Sequence, residues 1–287
     1  MMSLTNAMTV DVEDYFQVQA FAHCIDRADW DRFPPRVERN TNLILDQFAA
    51  AGTKATFFTL GWVAQRHPAL IRRIVDDGHE LASHGWDHTQ VHQQDPETFR
   101  ADVRRTRALL EDLSGVRVGG YRAATFSITD RTAWAFPILR QEGYTYSSSI
   151  NPIRHDLYGM PDAPRTPFRP HADGVMEIPM TTVRLRGRNW PCSGGGYFRL
   201  LPDALYRAGL RHVNGREGQP GIFYFHPWEI DPAQPRVRDA GWKSRLRHYT
   251  NLSRMAAGLD RLLRDFAWDR MDRVYAPVLS ADEPAVA

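Results

Sequence analysis

Residues Glu80 to Gln90 read ELASHGWDHTQ. The first half is a short, apolar-leaning run that fits a strand. The second half sets His84 and His88 four residues apart, around Gly85, Trp86 and Asp87. Two imidazoles at that spacing can converge on one metal ion, whether the segment is a helical turn or a tight loop leaving a strand. They can equally be two surface histidines, because short motifs often arise without function. What surrounds the stretch decides between these readings.

Outward from it, the N-terminal half alternates strand-like and helix-like segments. AMTVDVE reads as a buried strand ending in acids. RVERNTNLILDQFAAAG has helical apolar spacing and stops at Gly52. KATFFTLG is a strand, PALIRRIVDDG a helix with Pro at its start and Gly after its end, and HELASH a strand. DPETFRADVRRTRALLEDLSG is a long helix. VRVGGYRAA, TAWAFPILRQEG and YTYSSSI follow as strand, helix and strand. Strand and helix in this order predict a parallel sheet with right-handed crossovers. The number of units predicts an α/β chain, a distorted (β/α) barrel, whose chemistry sits at the carboxyl ends of its strands. Residues 151–191 look like long loops with short strands, and GIFYFHPWEID is a late strand with a polar end. The tail from Trp242 to Trp268 reads as one or two helices, and SADEPAVA at the end looks frayed. No linker divides the chain, which predicts one domain over 1–287: a core over about 8–230 and a C-terminal helical extension over 231–287.

Bulk properties narrow the function classes. Of the 287 residues, 43% are hydrophobic and 24% charged, as in ordinary globular protein. A net charge of +2 argues against a dedicated nucleic-acid binder. The arginines of WKSRLRHYTNLSRMAAGLDRLLRDF alternate with apolar residues and read as a solvated helix face, with a membrane-surface helix as the minor alternative. Cys24 and Cys192 form no metal or disulfide framework. No apolar run reaches membrane-spanning length and the N-terminus lacks a signal pattern, so a cytoplasmic protein is expected, with any membrane contact peripheral. Oligomeric state is left open.

The acids and histidines gather at predicted strand ends: Asp11, Glu13 and Asp14 on the first, His84 with His88 on the third, Arg122 on the fourth, and His226 on the late strand. On a barrel these places share one rim. Two His and one carboxylate form a ligand set for a catalytic divalent metal with open positions. A second carboxylate could take a proton from water there, and a further His could protonate a leaving group. These parts suit metal-assisted hydrolysis of an amide or ester.

The motifs, taken in order, resemble those of the polysaccharide deacetylases, the carbohydrate esterases that include chitooligosaccharide and peptidoglycan deacetylases. MTVDVEDYF, KATFFTLG, ELASHGWDH, GGYRAATFS and GIFYFHPWEID stand where that family has its successive motifs, over about residues 8 to 230. The fuller wording, with SGGGYFRLLP and the C-terminal extension, is similar to a bacterial subgroup linked to exopolysaccharide and exosortase gene clusters. The resemblance implies a barrel of the polysaccharide deacetylase type. It implies Asp11 as general base, His84, His88 and Asp14 as metal ligands, His226 as general acid and Arg122 orienting Asp11. A backbone N–H near Thr125 would stabilise the oxyanion. Asp14 is preferred to Glu13 because strand alternation turns Asp11 and Glu13 to one side and the chain must bend after Glu13. The arginine motif reads Arg-Ala-Ala-Thr where the family continues with Pro and Tyr. The usual Asp that orients the last His has no clear counterpart, leaving Glu229 and Asp231 as candidates.

Other residues have two readings each. The glycines of CSGGGYFRLLP, before Tyr197, make a substrate-facing loop or a plain turn. Trp86 packs the rim, whereas Trp190 and Trp228 are candidates for stacking on a sugar. Glu13 and Asp87 are candidates for supporting the ligands. The expected activity is removal of acetyl groups from N-acetylated amino sugars of a polysaccharide or its lipid-linked precursor, in exopolysaccharide biosynthesis. Zn2+ is the default metal, with Co2+, Ni2+ or Fe2+ as alternatives. The rival readings are an allantoinase-like hydrolase of a small cyclic amide and a carbohydrate-binding pseudoenzyme.

Overall fold

The structure, a computed structural model, describes residues 4–281. The end of the frayed tail anticipated above, residues 282–287, lies outside them.

Strand β1 (Thr5–Val12) is buried at every position after the first, which is how a central strand of a parallel sheet reads when both faces are covered. It pairs in parallel with β2 (Thr56–Thr59), and the ladder continues through β3 (Glu80–Ser83), β4 (Gly120–Tyr121), β5 (Tyr146–Ser147) and β6 (Met176–Glu177). The exposed hairpin β7 (Thr182–Leu185) and β8 (Arg188–Pro191) stands off this sheet. The late strand β9 (Ile222–Phe225) and the short β10 (Ala267–Asp269) both pair with β1. No ladder joins β6 to β9 among the described residues. Instead the Thr181 hydroxyl accepts the Ile222 N–H at 2.6 Å. The sheet is thus a barrel with one seam bridged by a side chain, as the alternation of strands and helices implied.

The helices are α1 (Val37–Ala50), α2 (Gly61–Arg66), α3 (Pro68–Asp76), α4 (Pro96–Ser114), α5 (Ala135–Gln141), α6 (Gly195–Leu200), α7 (Asp203–Gly215), α8 (Trp242–Tyr249), α9 (Leu252–Asp265), α10 (Met271–Val274) and α11 (Ala276–Ser280). Their boundaries follow local chemistry. Asp95 caps α4 through its side chain, Pro96 opens it, and Gly115 closes it with φ 69°. Gly52 and Gly78 follow α1 and α3 in the same left-handed conformation. None of the helices is long and apolar enough to cross a membrane, among the described residues. The tail does hold two helices, α8 and α9, but the expectation of a purely helical extension needs correcting: β10 follows them and joins the sheet.

Strand alternation sorts the residues into two layers. Met8, Val10 and Val12 face outward with Phe57, Phe223 and Phe225 in the core beneath the helices. Ala7 faces the barrel interior with Phe58, Ala82, Tyr146 and Tyr224. Thr9 and Asp11 follow Ala7 on that inner face, so polar side chains rise through the barrel towards its carboxyl end. The other end is closed by α10: the Met271 N–H donates to Thr56 Oγ1 at 2.8 Å, and Met271 is fully buried.

One strand-end acid serves the fold. Asp14 Oδ2 accepts the N–H groups of Arg36 (2.6 Å) and Val37 (2.9 Å), and Oδ1 accepts that of Tyr15 (2.8 Å). It is a cap supplied from a distant loop to the start of α1, where free N–H groups and the helix dipole favour a carboxylate. Replacement Asp14→Ala should cost about 1–2 kcal/mol of stability, read by denaturant unfolding, and leave metal binding unchanged.

Candidate metal centre and catalytic groups

The third strand ends at Ser83, and His84 continues its line, its N–H donating to Thr59 O at 3.0 Å. Gly85 then takes φ 76°, a left-handed turn that suits glycine. His88 is itself left-handed at φ 59°. The turn brings the two rings to 5.4 Å between centroids, tilted by 64°. The His84 Nδ1–H donates to the carbonyl of Arg122 at 2.8 Å. That bond leaves the Nε2 lone pair free and fixes the ring as a ligand would need it.

The acid that meets these rings is Glu13. One ligand atom from each of Glu13, His84 and His88 lies within 4.8 Å of the others, and all three residues are buried. The chain turns at Val12, where the Glu13 N–H donates to Asp11 O at 3.0 Å. The bend therefore falls one residue earlier than expected, keeping Glu13 beside Asp11 and sending Asp14 to α1. The expectation that Asp14 is the carboxylate ligand is corrected on this ground.

The set fits a cation. Glu13 Oε2 is buried with no hydrogen-bond partner among the described residues, 3.1 Å from His88 Nε2. Burial raises the Glu13 carboxyl to about 7, against the opposing pull of His226. Burial also holds both imidazoles below their ordinary value, His88 well below it, so both stay neutral. Neutral imidazoles and a carboxylate uncomfortable alone are the donors a divalent ion requires.

Asp11 stands next to this set, held by Arg122. The guanidinium is fully buried; Nη1 donates to Asp11 Oδ1 at 2.6 Å and to Thr9 Oγ1 at 2.9 Å. Nε donates to Ser148 O at 3.1 Å and Nη2 to Ser148 Oγ at 3.2 Å. Arg122 therefore reaches Asp11, the pair that the family resemblance names.

His226 follows β9, and Pro227–Ile230 forms a single 3-10 turn that folds Glu229 back upon it. Glu229 Oε1 accepts both the backbone N–H (3.1 Å) and the Nδ1–H (2.8 Å) of His226, while Oε2 accepts Arg199 Nε at 2.7 Å. His226 Nε2 lies 3.4 Å from Glu13 Oε1. Burial alone would lower the imidazole, but Glu13 and Glu229 outweigh it and raise it to about 9. Burial would likewise raise Glu229, but Arg199 and His226 bring it to about 2. The orienting carboxylate is thus Glu229. Asp231 turns instead to Arg36 and Asn40, each at 3.4 Å.

Three expectations about the surroundings change. Trp228 does not offer an open face: it is buried between His226 (5.2 Å, 18°) and His248 (4.0 Å, 14°), with its indole N–H 3.4 Å from Glu13. In the glycine run, Gly195 faces the protein rather than open space. A Cβ on Gly195 would sit 2.4 Å from the Glu229 carboxylate, so the glycine is the space Glu229 occupies. Asp87 supports no ligand; it accepts the Thr89 hydroxyl and lies 3.9 Å from Arg27. Trp86 does pack the rim: Arg105 covers one face at 4.2 Å, and Gly61 lies so close that a Cβ there would meet the ring at 2.5 Å.

Tyr197 is half-buried, and burial pushes its hydroxyl above the ordinary value. Thr125 and Phe126 both adopt left-handed backbone, φ 54° and 49°. Two such residues in tandem store strain of the kind found at functional sites. The buried Thr125 hydroxyl has no partner among the described residues. Sequence reading missed Arg199, whose only signal was a cation inside an otherwise apolar and glycine-rich stretch.

Residues 28–147, which hold His84, His88 and Arg122, match the family model for polysaccharide deacetylase. Over that segment the chain is similar to the polysaccharide deacetylases. Residues 148–276, which hold Arg199, His226 and Glu229, match a domain of unknown function, DUF3473. Asp11 and Glu13 precede both matches.

The peptidoglycan-N-acetylglucosamine deacetylase PgdA of Listeria monocytogenes is 33% identical over 72 residues, covering 25% of this chain and 16% of PgdA. The chitooligosaccharide deacetylase of Rhizobium leguminosarum bv. trifolii is 25% identical over 144 residues, covering 50% of this chain and 60% of that protein. The chain thus spans less than two thirds of each of these relatives. A crystal structure assigned to a polysaccharide deacetylase of Mycobacterium smegmatis superposes with TM-score 0.64 at 19% identity, covering 98% of this chain and 92% of that one. The peptidoglycan deacetylase PdaC of Bacillus subtilis gives 0.52 at 14%, covering 98% and 94%. A CE4 family pseudoenzyme from Bacillus anthracis gives 0.51 at 13%, covering 95% and 66%. These likenesses establish the fold alone.

Two outcomes follow for metal uptake by the metal-stripped chain, measured by calorimetry. Loss of an outer partner of a metal ligand typically costs about 10–100-fold in affinity, so Glu13→Ala should cost at least that. Because the Glu13 carboxyl is raised to about 7, it holds a proton below that pH, and affinity should fall as the pH drops through it.

Proposed function

We propose that this chain is a metal-dependent deacetylase that removes acetyl groups from N-acetylated amino sugars of a polysaccharide or its precursor, in exopolysaccharide biosynthesis. The observation that carries the reading is the pairing of two different carboxylates on one side of β1: Glu13 among the histidines, and Asp11 held apart by Arg122. Names of the relatives, deacetylases of peptidoglycan and chitooligosaccharide, support an acetamido sugar as the substrate class. A complete set of base, ligands and acid weighs against a binding-only pseudoenzyme.

Glu13, His84 and His88 would hold the ion, zinc by the preference of a His/His/carboxylate set. When bound, it would supply Lewis acidity to the acetyl carbonyl and to the attacking water. Asp11 is the general base. Arg122 donates to its Oδ1, leaving the other oxygen to receive the proton of the attacking water. His226 is the general acid: its Nδ1–H is held by Glu229, so the proton on Nε2 faces the site and passes to the departing amine. Arg199 keeps Glu229 ionised, and Glu229 keeps His226 charged. The backbone N–H near Thr125 is the oxyanion donor of this scheme.

The test is acetate release from N-acetylated oligosaccharides, run with metal analysis. Asp11→Asn should retain metal and lose about 100-fold or more in kcat; near wild-type turnover would end its role as base. Ring opening of a cyclic amide, with no acetate from sugars, would select the rival hydrolase reading. The acid form of His226 is lost as pH rises, so kcat/KM should fall on the alkaline side. Glu229→Gln removes a charge that raises the imidazole, and the alkaline limb should move to lower pH.

A further inference from the structure

The rim beside the site carries apolar and cationic side chains on two separate elements. On the β7–β8 hairpin, Leu185 is 50% and Trp190 55% exposed. Val183 lies on the same side of its strand as Leu185 yet is 6% exposed, so the outer half of the hairpin overhangs the body. Arg184, Arg186 and Arg188 project there with no acidic residue between positions 184 and 190. On α8, Trp242 (71% exposed) and Leu246 (59%) lie one turn apart on one face, among Lys243 and Arg245. From Arg236 to Arg254 the sequence holds six cations and one acid, Asp239.

The loop 152–161 ties both elements to the carboxyl end of the barrel. Asn189 of β8 donates to the carbonyls of Pro152 (2.9 Å) and Pro161 (3.3 Å). Arg247 of α8 pairs with Asp156 at 2.8 Å, and the neighbouring His248 stacks on Trp228, itself stacked on His226. Between these anchors Leu157 is 48% exposed.

We propose that this rim is a docking surface for a membrane rich in anionic lipid. Arg184, Arg186, Arg188, Lys243 and Arg245 have no carboxylate partner among the described residues, and an anionic headgroup layer supplies the missing charge. Tryptophan and leucine beside such cations have the composition of an interfacial anchor, with apolar tips at the acyl boundary and guanidinium groups at the phosphates. A polyanionic glycan would match the cations and stack on a tryptophan, but gives no reason for bare leucines on the hairpin, on the loop and on α8. Docked this way, the mouth that holds His226 opens alongside the bilayer. The arginines of α8, read from sequence as a solvated face, would then be a partner surface. The proposal does not rest on the deacetylase reading, because docking requires no turnover.

Co-sedimentation of the full chain with vesicles tests it. Vesicles of phosphatidylcholine mixed with phosphatidylglycerol should retain the protein, those of phosphatidylcholine alone should not, and added salt should release it. Arg186→Glu with Lys243→Glu should lower partitioning by about tenfold or more. Trp242→Ser with Leu246→Ser should abolish it, with unfolding transitions unchanged because the side chains are exposed. Equal binding by wild type and both variants, or no binding to anionic vesicles, would overturn the proposal. So would retention by heparin-agarose that survives Trp242→Ser with Leu246→Ser in a protein that ignores vesicles. A wild-type dimer in light scattering that those serines convert to monomer would assign the face to a second copy and overturn it equally.

Discussion

A single buried cation organises the interior of this barrel. Arg122 is fully inaccessible, and moving a guanidinium out of water costs several kcal/mol unless every donor finds a partner. Its partners come from β1, from the segment leaving β5 and from α10: Thr9, Asp11, Ser148 and the sulfur of Met271, with the ring of Phe58 at 4.0 Å beneath. Satisfying Arg122 thus aligns strands far apart in sequence and also seats the C-terminal segment that closes the other end. The same contact aims Asp11, so packing and the placing of that carboxylate are one requirement.

Around that cation the charges are arranged by sign. Arg199, Glu229, His226 and Glu13 form a file of alternating charge, each link 2.7 to 3.4 Å long. The file begins in the region matching the domain of unknown function and ends just past β1. The deacetylase-matched segment supplies His84, His88 and Arg122, but His226 and the groups that hold it come from the later residues. Gly195 makes this physically possible, since any side chain there would displace the Glu229 carboxylate.

Much of the site could be read before any coordinates. The strand–helix alternation and His84 with His88 have local signatures, a strand end or a glycine turn; Arg122 against Asp11 was implied by the family resemblance, and Glu229 stood as one of two candidates for His226. Tertiary contacts decided the rest. Trp228 looks like a rim aromatic in sequence, but only His248, twenty residues on, covers its second face. Arg199 lies inside SGGGYFRLLP, but nothing local marks its role, because its partner is thirty residues away on another element.

Adjacent acids show most clearly where the boundary lies. Chemistry alone required one carboxylate among the ligands and one free to take a proton, and the residues Asp-Val-Glu-Asp provided three candidates. Pattern also determined that successive strand residues face opposite ways. The placing of the bend was a matter of tertiary structure: the turn at Val12 and the unsatisfied N–H groups at the start of α1 drew Asp14 outward and left Glu13 with the histidines. A helix needing a cap, twenty-two residues downstream, thereby selected the residue that stands among the histidines.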